Sequence, residues 1–107
     1  MKEAPISPAA LLDRIDQGDA PAVLDVRSPA EFAEGHVPGA VNVPFTSVLA
    51  RPDAVRAAKS RAVVVYCGHG PRAWLAAGAL RRRGFERVTY LRGHMAAWRR
   101  AGLREER

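Results

Sequence analysis

A single cysteine, Cys67, closes the apolar run VVVYC (63–67) and is followed at once by GHGPRA (68–73). A packing cysteine would sit inside such a run, whereas this one stands where the chain leaves the core. Gly68 and Gly70 permit backbone angles that a side chain forbids, and they let another group come close to the main chain. A tight loop here can turn its N–H groups inward as an anion nest. The helix expected to begin near Pro71 adds the partial positive charge of its N-terminus, and Arg72 adds a full one. A thiol in that field ionises below the ordinary value of about 8.5, and the thiolate is the nucleophile. The chemistry on offer is covalent attack by sulfur, with negative charge stabilised by the loop. The same residues also fit a buried cysteine ahead of an ordinary strand-to-helix turn. Pro71 has no N–H, so either the nest is one donor short or that position points away.

The elements that must position this loop alternate along the chain. SPAALLDRIDQG (7–18) reads as a helix with Ser7 as cap, Pro8 in its first turn and Gly18 as stop. AVLDVR (22–27) reads as a buried strand, and SPAEFAEGH (28–36) as a second helix capped by Ser28 with Glu31 three residues on. AVNVP (40–44) is a further strand, and TSVLARPDAVRAAK (46–59) is helical at its ends but interrupted by Pro52. RAVVVYC (61–67) is the most apolar strand and is expected at the centre of the sheet. PRAWLAAGALRRRGF (71–85) is an amphipathic helix, RVTYLRG (87–93) a strand and HMAAWRRAG (94–102) a last short helix. Trp74, Leu75, Leu80 and Phe85 are expected in the core; Met95 and Trp98 are expected to pack under the last helix or to rim the site. Strand alternation points Tyr66 away from Cys67. Strands alternating with helices predict an α/β fold, a compact central parallel β-sheet with helices on both faces. In such sheets ligands bind beyond the carboxyl ends of the strands, which is where Cys67 lies.

Composition narrows the function. The 107 residues suffice for one domain, expected over 1–107 with its core at about 7–103. No apolar stretch is long enough to cross a membrane, and MKEAPISPAALLDRI lacks the layout of a secretory signal. One cysteine forms no internal disulfide and suits a reducing, cytoplasmic setting. The three histidines, His36, His69 and His94, have no usual metal-ligand spacing, so no metal site is expected. The net charge of +6 gathers in RRRGFERV and MAAWRRAGLREER, without interleaved aromatics, and reads as solvated helix faces rather than a nucleic-acid surface. Its field would attract a small anion. Arg81, Arg82 and Arg83 are expected to be exposed, with an acidic protein partner as their functional alternative.

Three blocks of the chain resemble the rhodanese (sulfurtransferase) superfamily in its single-domain form. They are VLDVRSPAEFAEGHVPGAVNVPF (23–45), VVVYCGHGPRA (63–73) and GFERVTYLRGHMAAWRRAGL (84–103). The resemblance implies that Cys67 accepts sulfur as a persulfide and that the loop Gly68, His69, Gly70, Pro71, Arg72 and Ala73 binds substrate, its backbone amides cradling the sulfur. It implies that Arg72 binds an anionic substrate or braces the loop, and that Asp25, Arg27 and His36 support the structure. His69 either steers an anion or thiol or faces solvent. The six residues from Cys67 to Arg72 match sulfurtransferases, whereas the related phosphatases and arsenate reductases carry one more.

The implied reaction is ping-pong transfer without metal or organic cofactor. A small anionic donor such as thiosulfate, or a persulfide, loads Cys67. A thiophilic acceptor (cyanide, glutathione or a dithiol protein) then takes the sulfur, in a protein expected to be monomeric. The alternatives are a relay module serving one partner protein and, more distantly, a phosphatase-like domain.

Overall fold

The structure is a computed structural model and describes residues 4–107; residues 1–3 of the expected domain lie outside the described residues. Four parallel strands form one sheet in the order β2-β1-β3-β4, with β1 at Ala22–Asp25, β2 at Val41–Asn42, β3 at Ala62–Tyr66 and β4 at Arg87–Tyr90. Five helices connect and flank them: α1 (Pro8–Asp16), α2 (Pro29–Glu34), α3 (Phe45–Ala50), α4 (Pro71–Arg82) and α5 (His94–Arg100). The expected α/β architecture is present.

The period-two alternation of β3 divides the core into two layers. Val63, Val65 and Cys67 pack with Val48 of α3 and with Ala73, Ala76 and Leu80 of α4. Val64 and Tyr66 face the other way, onto Leu11 of α1 and Met95 and Trp98 of α5. Tyr66 therefore points opposite Cys67. The helix starts follow their sequence signals. The Ser7 hydroxyl accepts the Ala10 N–H at 3.2 Å. Ser28 and Glu31 form a reciprocal capping box, Glu31 N–H to Ser28 Oγ at 3.2 Å and Ser28 N–H to Glu31 Oε1 at 3.0 Å.

The structure departs from expectation in several places. The strands are shorter than the apolar runs: β2 keeps two residues at the sheet edge, where Val41 is exposed, and the chain stays tied to the sheet beyond it through Val43 N–H to Asp25 O at 3.0 Å and Phe45 N–H to Val26 O at 2.9 Å. The 46–59 stretch is helical only in α3 and in a 3-10 turn at Pro52–Ala54. Ile6 extends the far edge of the sheet, pairing beside Leu91 through Ile6 N–H to Tyr90 O (3.0 Å) and Arg92 N–H to Ile6 O (2.8 Å). Finally, Leu80 and Phe85 are buried, but Trp74 and Leu75 are 67% and 43% exposed. The buried stripe of α4 is Ala73, Ala76, Ala77 and Leu80, at helical spacing. The small alanines let the helix lie close on the sheet and leave Trp74 and Leu75 on its flank.

Of the three arginines at the end of α4, Arg82 and Arg83 are exposed as expected and Arg81 is not. Arg81 is half-buried, donates to Val88 O at 3.0 Å and lies over the Tyr90 ring, while Arg83 pairs with Asp53 at 2.6 Å. No helix among the described residues is long and apolar enough to cross a membrane.

Candidate active site

Cys67 follows the last residue of β3, and its side chain is fully buried at the carboxyl end of the sheet. The chain then turns through Gly68–Gly70 into α4. Gly70 has φ +138°, a region that favours glycine, and this aims its N–H at Cys67 Sγ, 3.0 Å away. The backbone of Ala73 also favours the charged form of the sulfur. Pro71 occupies the first turn of α4 and its missing N–H removes neither of these donors. The partial positive charge of α4's N-terminus adds to them.

The cysteine's ionisation is set by opposing effects. Burial pushes the thiol up; hydrogen bonding with His94, then with the backbone of Ala73 and Gly70, pulls it down, to about 7 overall. A substantial thiolate fraction is therefore present at neutral pH, and it falls as pH drops below that value.

Arg72 does not reach into open space. Its Nη1 and Nη2 donate to Glu31 Oε1 at 2.6 Å and Oε2 at 3.1 Å, a bidentate bridge from α4 to α2. A β-carbon at Gly68 would lie 3.3 Å from Arg72 Nη2, so the guanidinium also lies beside the loop. Of the two roles expected for Arg72, this geometry is that of a brace. Glu31 thus has two tasks, capping α2 and anchoring Arg72. The Arg72 hydrogen bond, set against a smaller cost of burial, lowers its carboxyl to about 2. A lowered carboxyl holds its ion pair above the ordinary value of 4.5 and loses it as pH falls toward 2. We expect the Glu31 side-chain carboxyl signal in NMR spectra to stay constant down through pH 4.5 and to titrate only nearer pH 2. A midpoint at the ordinary value would contradict the brace.

His94 is a site residue that the sequence reading assigned only to a helix start. Its Nδ1 accepts the Cys67 N–H at 3.2 Å, and a β-carbon at Gly70 would lie 3.4 Å from its Nε2. Accepting at Nδ1 places the neutral ring's proton on Nε2. His94 is the one non-glycine with positive φ among the described residues, at +58°, a conformation that costs of order 1 kcal/mol and tends to persist where function demands it. The turn places the next two amides on the back of the loop: Met95 N–H donates to Cys67 O at 2.9 Å and Ala96 N–H to Gly68 O at 3.2 Å. His94→Ala is expected to shift the pH midpoint of Cys67 alkylation by iodoacetamide upward from about 7. An unchanged midpoint would remove His94 from the thiol's environment.

The remaining predicted residues take supporting places. Asp25 and Arg27 form a buried ion pair at the end of β1, with Arg27 Nη2 to Asp25 Oδ2 at 2.8 Å, Nε to Oδ1 at 3.1 Å and the Arg27 N–H to Oδ1 at 2.8 Å. Arg27 Nη2 also donates to Gly35 O at 2.7 Å, which ties the far end of α2 to the sheet. Burial, followed by the nearby Asp25 carboxylate, raises the pKa of the Tyr66 hydroxyl, which accepts the Val37 N–H at 3.1 Å. His36 stacks on Phe32 at 3.6 Å, bonds Phe32 O through Nδ1 at 2.8 Å and pairs through its backbone with Glu106. None of these hydrogen bonds is made to the sulfur. His69 is exposed at the loop tip. No cluster of metal-ligating side chains occurs among the described residues.

A buried, amide-cradled cysteine at the carboxyl end of a parallel strand, facing a helix N-terminus, is the signature of a nucleophile loop on an α/β sheet. Residues 7–101 match the family model of the rhodanese-like domain. A sulfurtransferase of Allochromatium vinosum is 36% identical over 92% of this chain and 90% of its own length. The chloroplastic thiosulfate sulfurtransferase 16 of Arabidopsis thaliana is 34% identical over 75% of each. The solution structure of the rhodanese-like domain of the Anabaena protein Alr3790 superposes with a TM-score of 0.84 at 31% identity, covering 97% of this chain and 79% of that one. The chain belongs to the rhodanese-like family. Other matched relatives are longer, and this chain spans 25% to 50% of their length.

Proposed function

We propose that the protein is a sulfurtransferase that carries sulfane sulfur as a persulfide on Cys67. The observation that carries this reading is the Gly70 N–H set 3.0 Å from a buried Sγ, a donor placed for negative charge on sulfur. In the first half-reaction the Cys67 thiolate attacks the outer sulfur of a donor such as thiosulfate. The new S–S bond forms as the donor's own S–S bond breaks, and sulfite leaves with that electron pair. The enzyme is left with a persulfide anion, whose charge the loop amides and the α4 N-terminus oppose. In the second half-reaction an acceptor such as cyanide or a thiol attacks the terminal sulfur and returns the thiolate. The similarity to a thiosulfate sulfurtransferase supports thiosulfate as the donor to try first.

No general acid is needed, because sulfite and thiolate are stable leaving groups. Arg72 and Glu31 act from outside by holding the loop, and His94 by holding the Cys67 backbone and favouring the thiolate. The test is steady-state production of thiocyanate from thiosulfate and cyanide with both varied. Parallel double-reciprocal lines are expected for ping-pong transfer. Intersecting lines, or no thiocyanate, would count against it.

A further inference from the structure

Thiosulfate brings a sulfonate beside the cysteine, and few of the described residues can receive it. The Gly70 N–H is spent on the sulfur itself. Arg72, the cation of the loop, has both terminal nitrogens on Glu31, whose carboxylate cancels its charge. His69 stands exposed at the loop tip. His94 is placed differently. Its Nδ1 accepts the Cys67 N–H at 3.2 Å, so the neutral ring carries its proton on Nε2. Nε2 lies against Gly70, where a β-carbon would come within 3.4 Å of it, and glycine lets the ring lie that close. Among the described residues no main-chain or carboxylate oxygen accepts from Nε2. The ring also reaches the reacting atom: burial pushes the Cys67 thiol up, and the hydrogen bond of His94 is the first of the effects that draw it down. Gly70 and His94 together open onto a groove of about 520 Å3, which gives a small anion room to arrive.

We propose that His94 is a catalytic residue of the first half-reaction, its Nε2–H binding the sulfonate of thiosulfate and then the departing sulfite. The proposal rests on the sulfur-transfer reading above and adds to it a donor for the group that leaves. As the Cys67 thiolate attacks the outer sulfur, a new S–S bond forms. The S–S bond of thiosulfate breaks with its electron pair, and negative charge accumulates on the sulfite. The Nε2–H opposes that charge where it grows. The proton stays on nitrogen: thiolate and thiosulfate become persulfide anion and sulfite dianion, with the total charge unchanged. A neutral donor also lets sulfite depart, because a hydrogen bond from a full cation would hold it more strongly. Cyanide has no oxygen, so its attack on the loaded cysteine makes no use of this contact.

The two ring nitrogens can be separated by substitution. In His94→Asn the amide oxygen stands where Nδ1 stands and can accept the Cys67 N–H, asparagine tolerates φ +58°, and nothing reaches the Nε2 position. In His94→Gln the amide nitrogen stands near the Nε2 position. Single-turnover loading of Cys67 by thiosulfate is measured beside alkylation by iodoacetamide, which needs the same thiolate and carries no sulfonate. The ratio of the two rates removes any change in ionisation. His94→Asn is expected to lower that ratio roughly tenfold or more, the scale of one lost hydrogen bond to a charged group, and His94→Gln to lower it less. Discharge of the loaded cysteine by cyanide is expected to fall less than loading does. An unchanged ratio in His94→Asn would overturn the proposal, and so would equal losses in loading and discharge. A second measurement needs no turnover: Cys67→Ser is titrated with sulfite at constant pH and the His94 ring signals are followed by NMR. A saturable shift is expected, and a flat titration would overturn the oxyanion role. A native protein that takes no sulfur from thiosulfate would refute the sulfur-transfer reading and the catalytic role with it. A saturable sulfite shift in that case would leave His94 as an oxyanion site alone.

Discussion

Cys67→Ser is expected to fold as the native protein does and to release no thiocyanate from thiosulfate and cyanide, a loss of at least about a thousandfold. The substitution exchanges one buried atom, and the Gly70 N–H can still be accepted by the serine hydroxyl, so the cradle survives. What disappears is the chemistry. The cysteine is held at about 7, where thiolate is available at neutral pH, whereas an alkyl hydroxyl stays protonated and cannot carry sulfane sulfur. Cys67 is the only cysteine in the chain, so no second thiol can substitute. Circular dichroism and thiocyanate release, measured on the same sample, separate folding from function. Retained turnover would place the reaction elsewhere.

The second large effect concerns stability. Asp25→Ala is expected to cost about 3–5 kcal/mol, because it leaves the Arg27 guanidinium buried without its carboxylate. Asp25 is 0% and Arg27 3% exposed, so water cannot replace the lost partner without opening the end of β1. The damage would spread, since the same guanidinium holds Gly35 O, and Asn42 Nδ2 holds both Asp25 O and Arg27 O. A native domain of this size is stable by only about 5–15 kcal/mol, so urea denaturation should show a large fall in midpoint. Because the Tyr66 hydroxyl also lies close to Asp25, Asp25→Asn is expected to retain part of the hydrogen bonding and to lose less. A loss below about 1 kcal/mol for the alanine variant would show that the pair is not the anchor its geometry indicates.

These two residues illustrate what can be read from a sequence alone. Cys67 and its loop were legible because the relevant signals are local: an apolar run, two glycines and a proline at a helix start. The Ser28–Glu31 cap was legible for the same reason, as both partners lie within one turn. The second role of Glu31 was not, because Arg72 is 41 residues away and meets it only after α2 and α4 are placed on the sheet. His94 escaped in the same way: it follows a glycine at an apparent helix start, and only the parallel pairing of β3 with β4 carries it to Cys67. Trp74 was misplaced for a different reason. Residue type argued for the core, but the helix packs through alanines, and burial in a close-packed layer follows the stripe rather than the size of the side chain. The apolar runs exceed the strands because apolar residues go on beyond the paired stretch, where single bonds such as Val26 N–H to Tyr66 O and Val43 N–H to Asp25 O still hold the chain.

The most direct test of the central claim is the intact mass of the reduced protein after incubation with thiosulfate and desalting. The account predicts a gain of one sulfur atom on the native protein, no gain on Cys67→Ser, and return to the original mass after cyanide. A native protein that stays at its unmodified mass would contradict it.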